Sequence, residues 1–198
     1  MKKLMVLLFA AIELTACGSV PVEQADNSTY SAQTDARIRL FGQNGATSTL
    51  WTNVDCKTNP SGNKMNVGGG LDGLTSMMGT VSSLSLGIPS TYTTNHIADG
   101  DGILSKVFFQ EYIIPAGEAT IVKTSFLGAT PAVTNETAGT RTTYYPATCQ
   151  SNKMAFIPEA GKDYEVIGIN GNCGVAVHEV KSDGSLAPIQ LFSPKSCI

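Results

Sequence analysis

The sequence predicts a mainly β protein: an antiparallel β-sandwich of seven or eight strands, with one short helix in an excursion between strands. Three observations predict it. Short runs rich in β-branched and aromatic residues recur along the chain, which is the strand signature. Turn punctuation separates them, as in Asn44-Gly45, Pro115-Ala116-Gly117, Asn170-Gly171 and Asp183-Gly184. Finally, 198 residues with 42% hydrophobic and only 15% charged content must bury both inner sheet faces, which two packed sheets achieve.

Taken in order, Arg37-Ile38-Arg39-Leu40-Phe41 alternates charged and apolar residues at the period of a half-buried strand. Gly42 to Ala46 reads as a hairpin turn, and Thr47 to Val54 as the returning strand. From Val67 to Gly102 the pattern changes. Gly68-Gly69-Gly70 breaks the chain, and Leu71, Leu74, Met77 and Met78 then fall near helical spacing. One helix over about Leu71 to Val81 is expected to pack on the domain, with loop from Ser82 to Asn95. Strands resume at Leu104–Ile114 and Ala119–Phe126 across the turn Pro115–Glu118. Gly128 to Thr148, polar and Thr-rich, reads as a long loop. Lys153–Pro158, Asp163–Ile169 and Cys173–Lys181 are further strands, and Pro188–Phe192 is a final edge strand.

The N-terminus carries an address. Lys2 and Lys3 precede the apolar run Leu4–Ile12, whose nine residues fall short of the roughly 20 needed to span a bilayer. Leu14-Thr15-Ala16-Cys17, followed by Gly18, resembles the lipobox of bacterial lipoproteins, from which Glu13 departs. The resemblance implies a signal peptide over 1–16 and a Cys17 carrying diacylglycerol and an N-acyl chain. Such chains exceed the two-signal requirement for stable anchoring. Gly18, in place of an Asp, implies the outer membrane, with the protein lipid-anchored and facing the periplasm. Residues 17–35 then read as a flexible tether and 36–198 as the sandwich. Removing Lys2, Lys3 and Glu13 moves the formal charge from −3 to −4, so there is no basic footprint for nucleic acid.

Cys56, Cys149, Cys173 and Cys197 remain, an even count that reads as two disulfides in an exported chain. Three pairings are open; Cys149–Cys173 with Cys56–Cys197 is favoured, because neighbouring strand ends meet in the first and the second pins the C-terminus. Without a C-x-x-C pair the cysteines do not read as a metal site. Ile114-Pro115-Ala116-Gly117-Glu118 and Pro158-Glu159-Ala160-Gly161-Lys162-Asp163-Tyr164-Glu165-Val166 are turn and core signals. Over about residues 104–180 they resemble a set of small periplasmic lipoproteins with a prealbumin-like sandwich. The resemblance implies fold and carries no catalytic residue over.

Chemistry-bearing motifs are sparse. There is no G-x-S-x-G, Walker loop, H-E-x-x-H or G-x-G-x-x-G. Asp99 and Asp101, near His96, supply two carboxylates where a calcium loop needs six or more oxygens, so they read as a turn. His178 reads as solvent-facing, opposite Val175 and Val177. Arg141, Tyr144 and Tyr145 are the best recognition candidates, two aromatic rings beside a cation in the expected polar loop. No metal and no cofactor beyond the covalent lipid is expected. The expected role is a non-enzymatic binding or envelope-assembly module whose partner is an envelope protein or peptidoglycan. Two alternatives are an inhibitor of a lysozyme-like enzyme and a hydrolase using His96 or His178.

Overall fold

A computed structural model describes residues 20–43, 46–55, 57–101, 105–136, 139–169 and 173–194, and of 126–148 the backbone alone. Cys17, Cys56 and Cys197, with the signal segment, lie outside the described residues. The described chain runs β1 (Val22–Gln24), β2 (Asp35–Gly42), β3 (Ser48–Thr52), β4 (Asn63–Val67), α1 (Gly70–Met78), β5 (Ser83–Ser85) and α2 (Tyr92–Asn95). A 3₁₀ turn (Ile97–Gly100) leads to β6 (Phe108–Pro115), β7 (Thr120–Glu136), β8 (Gly139–Gln150), β9 (Met154–Phe156), β10 (Asp163–Ile169), β11 (Gly174–Val180) and β12 (Leu186–Pro188).

The strands form two sheets. One has seven strands in the order β1-β5-β6-β2-β10-β11-β12; the other is β4-β3-β7-β8, with β9 also paired to β7. Pairing is mostly antiparallel, with parallel exceptions at β1/β5, β5/β6 and β2/β10. Ile38, Leu40, Leu50, Phe108, Val122, Phe156 and Val166 form the core between the sheets, almost without exposure. Trp51, Ile121 and Ala155 make a smaller cluster on the far side of the second sheet. The Cys149–Cys173 disulfide is present, with its Cα atoms 5.3 Å apart; it staples β8 of one sheet to the start of β11 in the other.

Four strands escape the sequence reading. β1 and β5 are three residues long, too short for a periodic signal. β4 (NKMNV) is mostly polar and exposed. The second half of β7 together with β8 replaces the expected loop over 128–148, the two pairing from Ser125↔Gln150 to Glu136↔Gly139; of these, β8 is the strand not read from the sequence. Its many threonines are β-branched and suit a strand even without aliphatic neighbours. β1 also lies within the expected tether, so the chain joins the fold before residue 36, and Val20 packs on the core.

β2 and β3 are not a hairpin. β2 pairs with β6 and β10, and β3 with β4 and β7, so residues 42–48 carry the chain from one sheet to the other. Gln43 and Ala46 close the corner with two backbone hydrogen bonds of 3.0 Å. Glycine is required there: a Cβ on Gly42 would meet the Gly68 nitrogen at 2.7 Å, and Gly68 itself has φ +83.

β2 keeps the half-buried alternation read from its sequence, except that Arg39 on its outer face is buried. Arg39 is 2% exposed and lies between Glu111 of β6 and Glu165 of β10. Its Nε and Nη2 donate to Glu111 Oε1 at 2.9 and 2.7 Å, and its Nη1 to Glu165 Oε2 at 2.9 Å. The remaining guanidinium hydrogens reach the carbonyls of Ile88 (2.8 Å) and Pro89 (3.2 Å). Glu111 Oε2 in turn accepts from the backbone nitrogens of Leu86 and Ile88 and from Ser85 Oγ. One strap, residues 85–91, is thus bonded to the middle of the sheet. Arg37 adds a bidentate pair with Asp163 (2.7 and 2.8 Å) and a bond to the Leu86 carbonyl.

The excursion therefore supplies a strand, a strap and two helices, where the sequence reading places one helix. α1 itself lies close to its expected bounds, but its packing is inverted: Gly73 and Ser76 are buried, while Leu71, Leu74, Met77 and Met78 are exposed.

Replacing Arg39 by Ala strands two buried carboxylates, so urea unfolding followed by Trp51 fluorescence is expected to show a loss of about 3–5 kcal/mol. The Tyr112 hydroxyl donates to Gln110 Oε1, and burial, with Asp72 of α1 adding to it, pushes the phenol up to about 12. The raised value favours the neutral form. The associated stability is full below the ordinary tyrosine range near 10 and fades as pH rises towards 12. Ultraviolet titration is expected to show one tyrosine ionising late, and Asp72→Asn to bring it earlier.

Candidate functional site

The strap ends in a single turn of helix whose placement follows from the buried cluster. Thr91, 1% exposed, caps α2: its hydroxyl accepts from the Thr94 nitrogen (3.3 Å), and the Thr94 hydroxyl accepts from the Thr91 nitrogen (2.8 Å). The Thr91 hydroxyl also donates to Glu165 Oε2 at 2.8 Å. α2 is thus held to the same carboxylate that holds Arg39, and it projects Tyr92 over one end of the sandwich.

Tyr92 stacks on His96 with ring centroids 4.0 Å apart and planes inclined by 21°. His96 Nδ1 lies 2.9 Å from the Tyr92 carbonyl, which only accepts, so Nδ1 carries hydrogen. In the neutral ring Nε2 then holds the lone pair.

Beneath this pair lies a cleft of about 520 Å³, within the size range of small-ligand sites. Its walls include Phe41, Ile97, Val107 and Val166, with Thr124 and His96 among its polar residues. The Thr124 side chain is the informative one. Thr124 is 3% exposed, and its Oγ1 has no hydrogen-bond partner among the described residues. A buried hydroxyl left unpaired costs about 1–3 kcal/mol. The neighbouring hydroxyl on the same wall is spent, since Ser48 Oγ donates to the Phe41 carbonyl. The cleft therefore offers apolar walls and a stacked aromatic rim, with one unpaired hydroxyl enclosed within its wall. That combination suits a ligand group with an apolar face.

The structure separates the residues singled out in the sequence. His96 and Asp99 line the cleft, and His178 does not. His178 stands on β11 opposite Glu165 and Pro188, half-buried, with Nδ1 enclosed and without a partner among the described residues. It is flanked by Glu165 of β10 and Pro188 of β12, the latter strand spanning Leu186–Pro188 rather than the expected Pro188–Phe192. Asp101 is bound to Lys106 Nζ (2.7 Å) and the Val107 nitrogen (2.8 Å), so it closes a turn. Arg141, Tyr144 and Tyr145 lie on β8, opposite Thr134, Pro131 and Thr130, and not in a loop. Their side chains lie outside the described residues. Among those residues no group of three or more His, Cys, Asp or Glu is placed to hold a metal ion. Thr91, Tyr92 and Thr124 went unread in the sequence. The spacing of Thr91 and Thr94 is the one signal there, a capping box formed with threonine in its last position.

No protein family, curated protein or solved structure matches the chain.

Thr124→Val removes the unpaired hydroxyl at constant shape. Thermal unfolding of the ligand-free protein is expected to show a gain of about 1 kcal/mol, whereas a loss would mean that the hydroxyl is satisfied by a group other than a ligand.

Proposed function

We propose that this chain is an exported, lipid-anchored binding module of a bacterial envelope. Cys17 carries the acyl chains at the periplasmic face of the outer membrane. The folded body binds an envelope protein or peptidoglycan and catalyses no step. The observation that carries the binding role is the end cleft, whose apolar walls open beneath the stacked rings of Tyr92 and His96. Tyr92 is 73% exposed, and its free face suits stacking on a sugar ring or an apolar side chain. The Cys149–Cys173 bridge supports export, since such bonds persist in oxidising compartments. The lipobox at Leu14–Cys17 supports the anchor.

A photo-reactive residue at Tyr92 in growing cells tests the reading, with Glu118 in an exposed turn as the control position. Ultraviolet irradiation is expected to yield an adduct at Tyr92 well above the control, sorted into protein or peptidoglycan by digestion with a muramidase. Equal yields at both positions would sink the cleft as the binding site. An intact mass lacking acyl chains at Cys17 would sink the anchor.

A further inference from the structure

Helix α1 is amphipathic the wrong way round. Leu71 is 81% exposed, Leu74 48%, Met77 40% and Met78 64%, and they form one continuous stripe at i, i+3, i+6 and i+7. The opposite side of the helix is small: Gly73 and Ser76 are buried, and Ser76 Oγ donates to the Lys106 carbonyl at 2.6 Å. The helix is thus seated by its small residues and presents its large apolar ones outward. A stripe of this kind calls for a covering.

Three features identify the covering. The first is position. α1 connects β4, the edge of one sheet, to β5, which β1 flanks as the edge of the other. β1 is the first strand of the described chain, and Val22, itself 61% exposed, pairs with Ser83. Cys17 lies five residues before Val22 and so within about 18 Å of it along the chain, and Met78 lies within a similar reach of Ser83. The chain leading to Cys17 and the helix bearing the apolar stripe therefore both join the sandwich beside the β1/β5 edge, which puts an acyl chain at Cys17 within reach of the stripe. The second is charge. Leu71 borders a polar cleft of about 560 Å³ that also contains Lys64 and Lys123, together with Asp72. Lys64 and Lys153 lie 5.8 and 4.9 Å from the centre of the Trp51 ring. Among the described residues none of these three lysines has a carboxylate within ion-pair distance. The third is area. Four side chains expose on the order of a few hundred Å², well below the ~800 Å² per partner of a stable protein interface. They are enough for shallow insertion at a bilayer surface.

We propose that α1 lies on the bilayer that holds the Cys17 acyl chains, with Leu71, Leu74, Met77 and Met78 among the lipid tails and Lys64 and Lys123 at anionic headgroups. This rests on the anchor reading above. The lipid tethers the domain, and the helix sets which face it turns to the membrane.

The test uses the full-length protein as isolated from membranes, in vesicles of phosphatidylethanolamine and phosphatidylglycerol, beside Leu71→Glu/Met78→Glu. Both substitutions are at exposed positions, and the Cys149–Cys173 bridge and circular dichroism check the fold. Intact mass first reports acylation at Cys17, which tests the anchor separately. Deuterium uptake over residues 68–80 is then compared between vesicles and vesicle-free buffer. Slowing of at least about fivefold on vesicles, lost in the double variant while the acylated protein stays vesicle-bound, is the expected result. Equal uptake with and without vesicles, at a Cys17 shown to be acylated, overturns the docking and leaves the anchor standing. Protection without vesicles that tracks dimer formation in sedimentation also overturns it, because the covering would then be a second copy of the chain.

Discussion

The guanidinium of Arg39 is the constraint on which the structure depends. It sits at the centre of the seven-stranded sheet, almost without exposure, and each of its hydrogens has an acceptor. A charge in that position is tolerable only when it is paired and fully hydrogen-bonded. Glu111 and Glu165 pair it from the two flanking strands, and the strap carbonyls of Ile88 and Pro89 complete the set. Because those carbonyls are needed, the strap is held on the outer face of the sheet. Through Thr91 the same set positions α2, and α2 positions the rim of the cleft.

Such a cluster adds little net stability over a well-packed apolar one, since desolvation offsets most of the attraction. Its contribution is register. Arg39 faces both Glu111 and Glu165 only when β2 lies between β6 and β10 in the observed alignment. A slip of β2 by one residue would turn Arg39 to the opposite face, away from both glutamates. The inner face adds a second, independent lock in Ile38 and Leu40, which alternate with the arginines.

The described side chains leave few buried polar atoms unpaired, and they are not scattered evenly. Glu165 Oε1 and His178 Nδ1 belong to one cross-strand pair, Thr120 and Thr124 both lie on β7, and Asn27 stands apart. Natural structures satisfy most such groups, so each marks a place where stability is forgone. The exposed stripe of α1 is the apolar counterpart, a feature that weakens the isolated domain and makes sense against a surface.

Much of the strand layout was legible in the sequence. The turns at Pro115–Glu118 and Glu159–Lys162 separate β6 from β7 and β9 from β10, and the spacing of Leu71, Leu74, Met77 and Met78 located α1. The favoured Cys149–Cys173 pairing, one of three left open, is the bridge that the structure contains. These signals are local: a turn, a period or a short loop is written within a dozen residues. The burial of Arg39 was not legible, because its partners lie 72 and 126 residues away and only sheet assembly brings them together. The outward face of α1 was hidden for a related reason, since periodicity shows that a helix has two faces and not which one the domain takes. By itself, then, the sequence determined that this chain forms β-strands and where most of them turn; it favoured one cysteine pairing of three without deciding it. The tertiary structure alone decided which strands are neighbours, which charges are enclosed and where the cleft opens, because those depend on contacts between residues that no local pattern links.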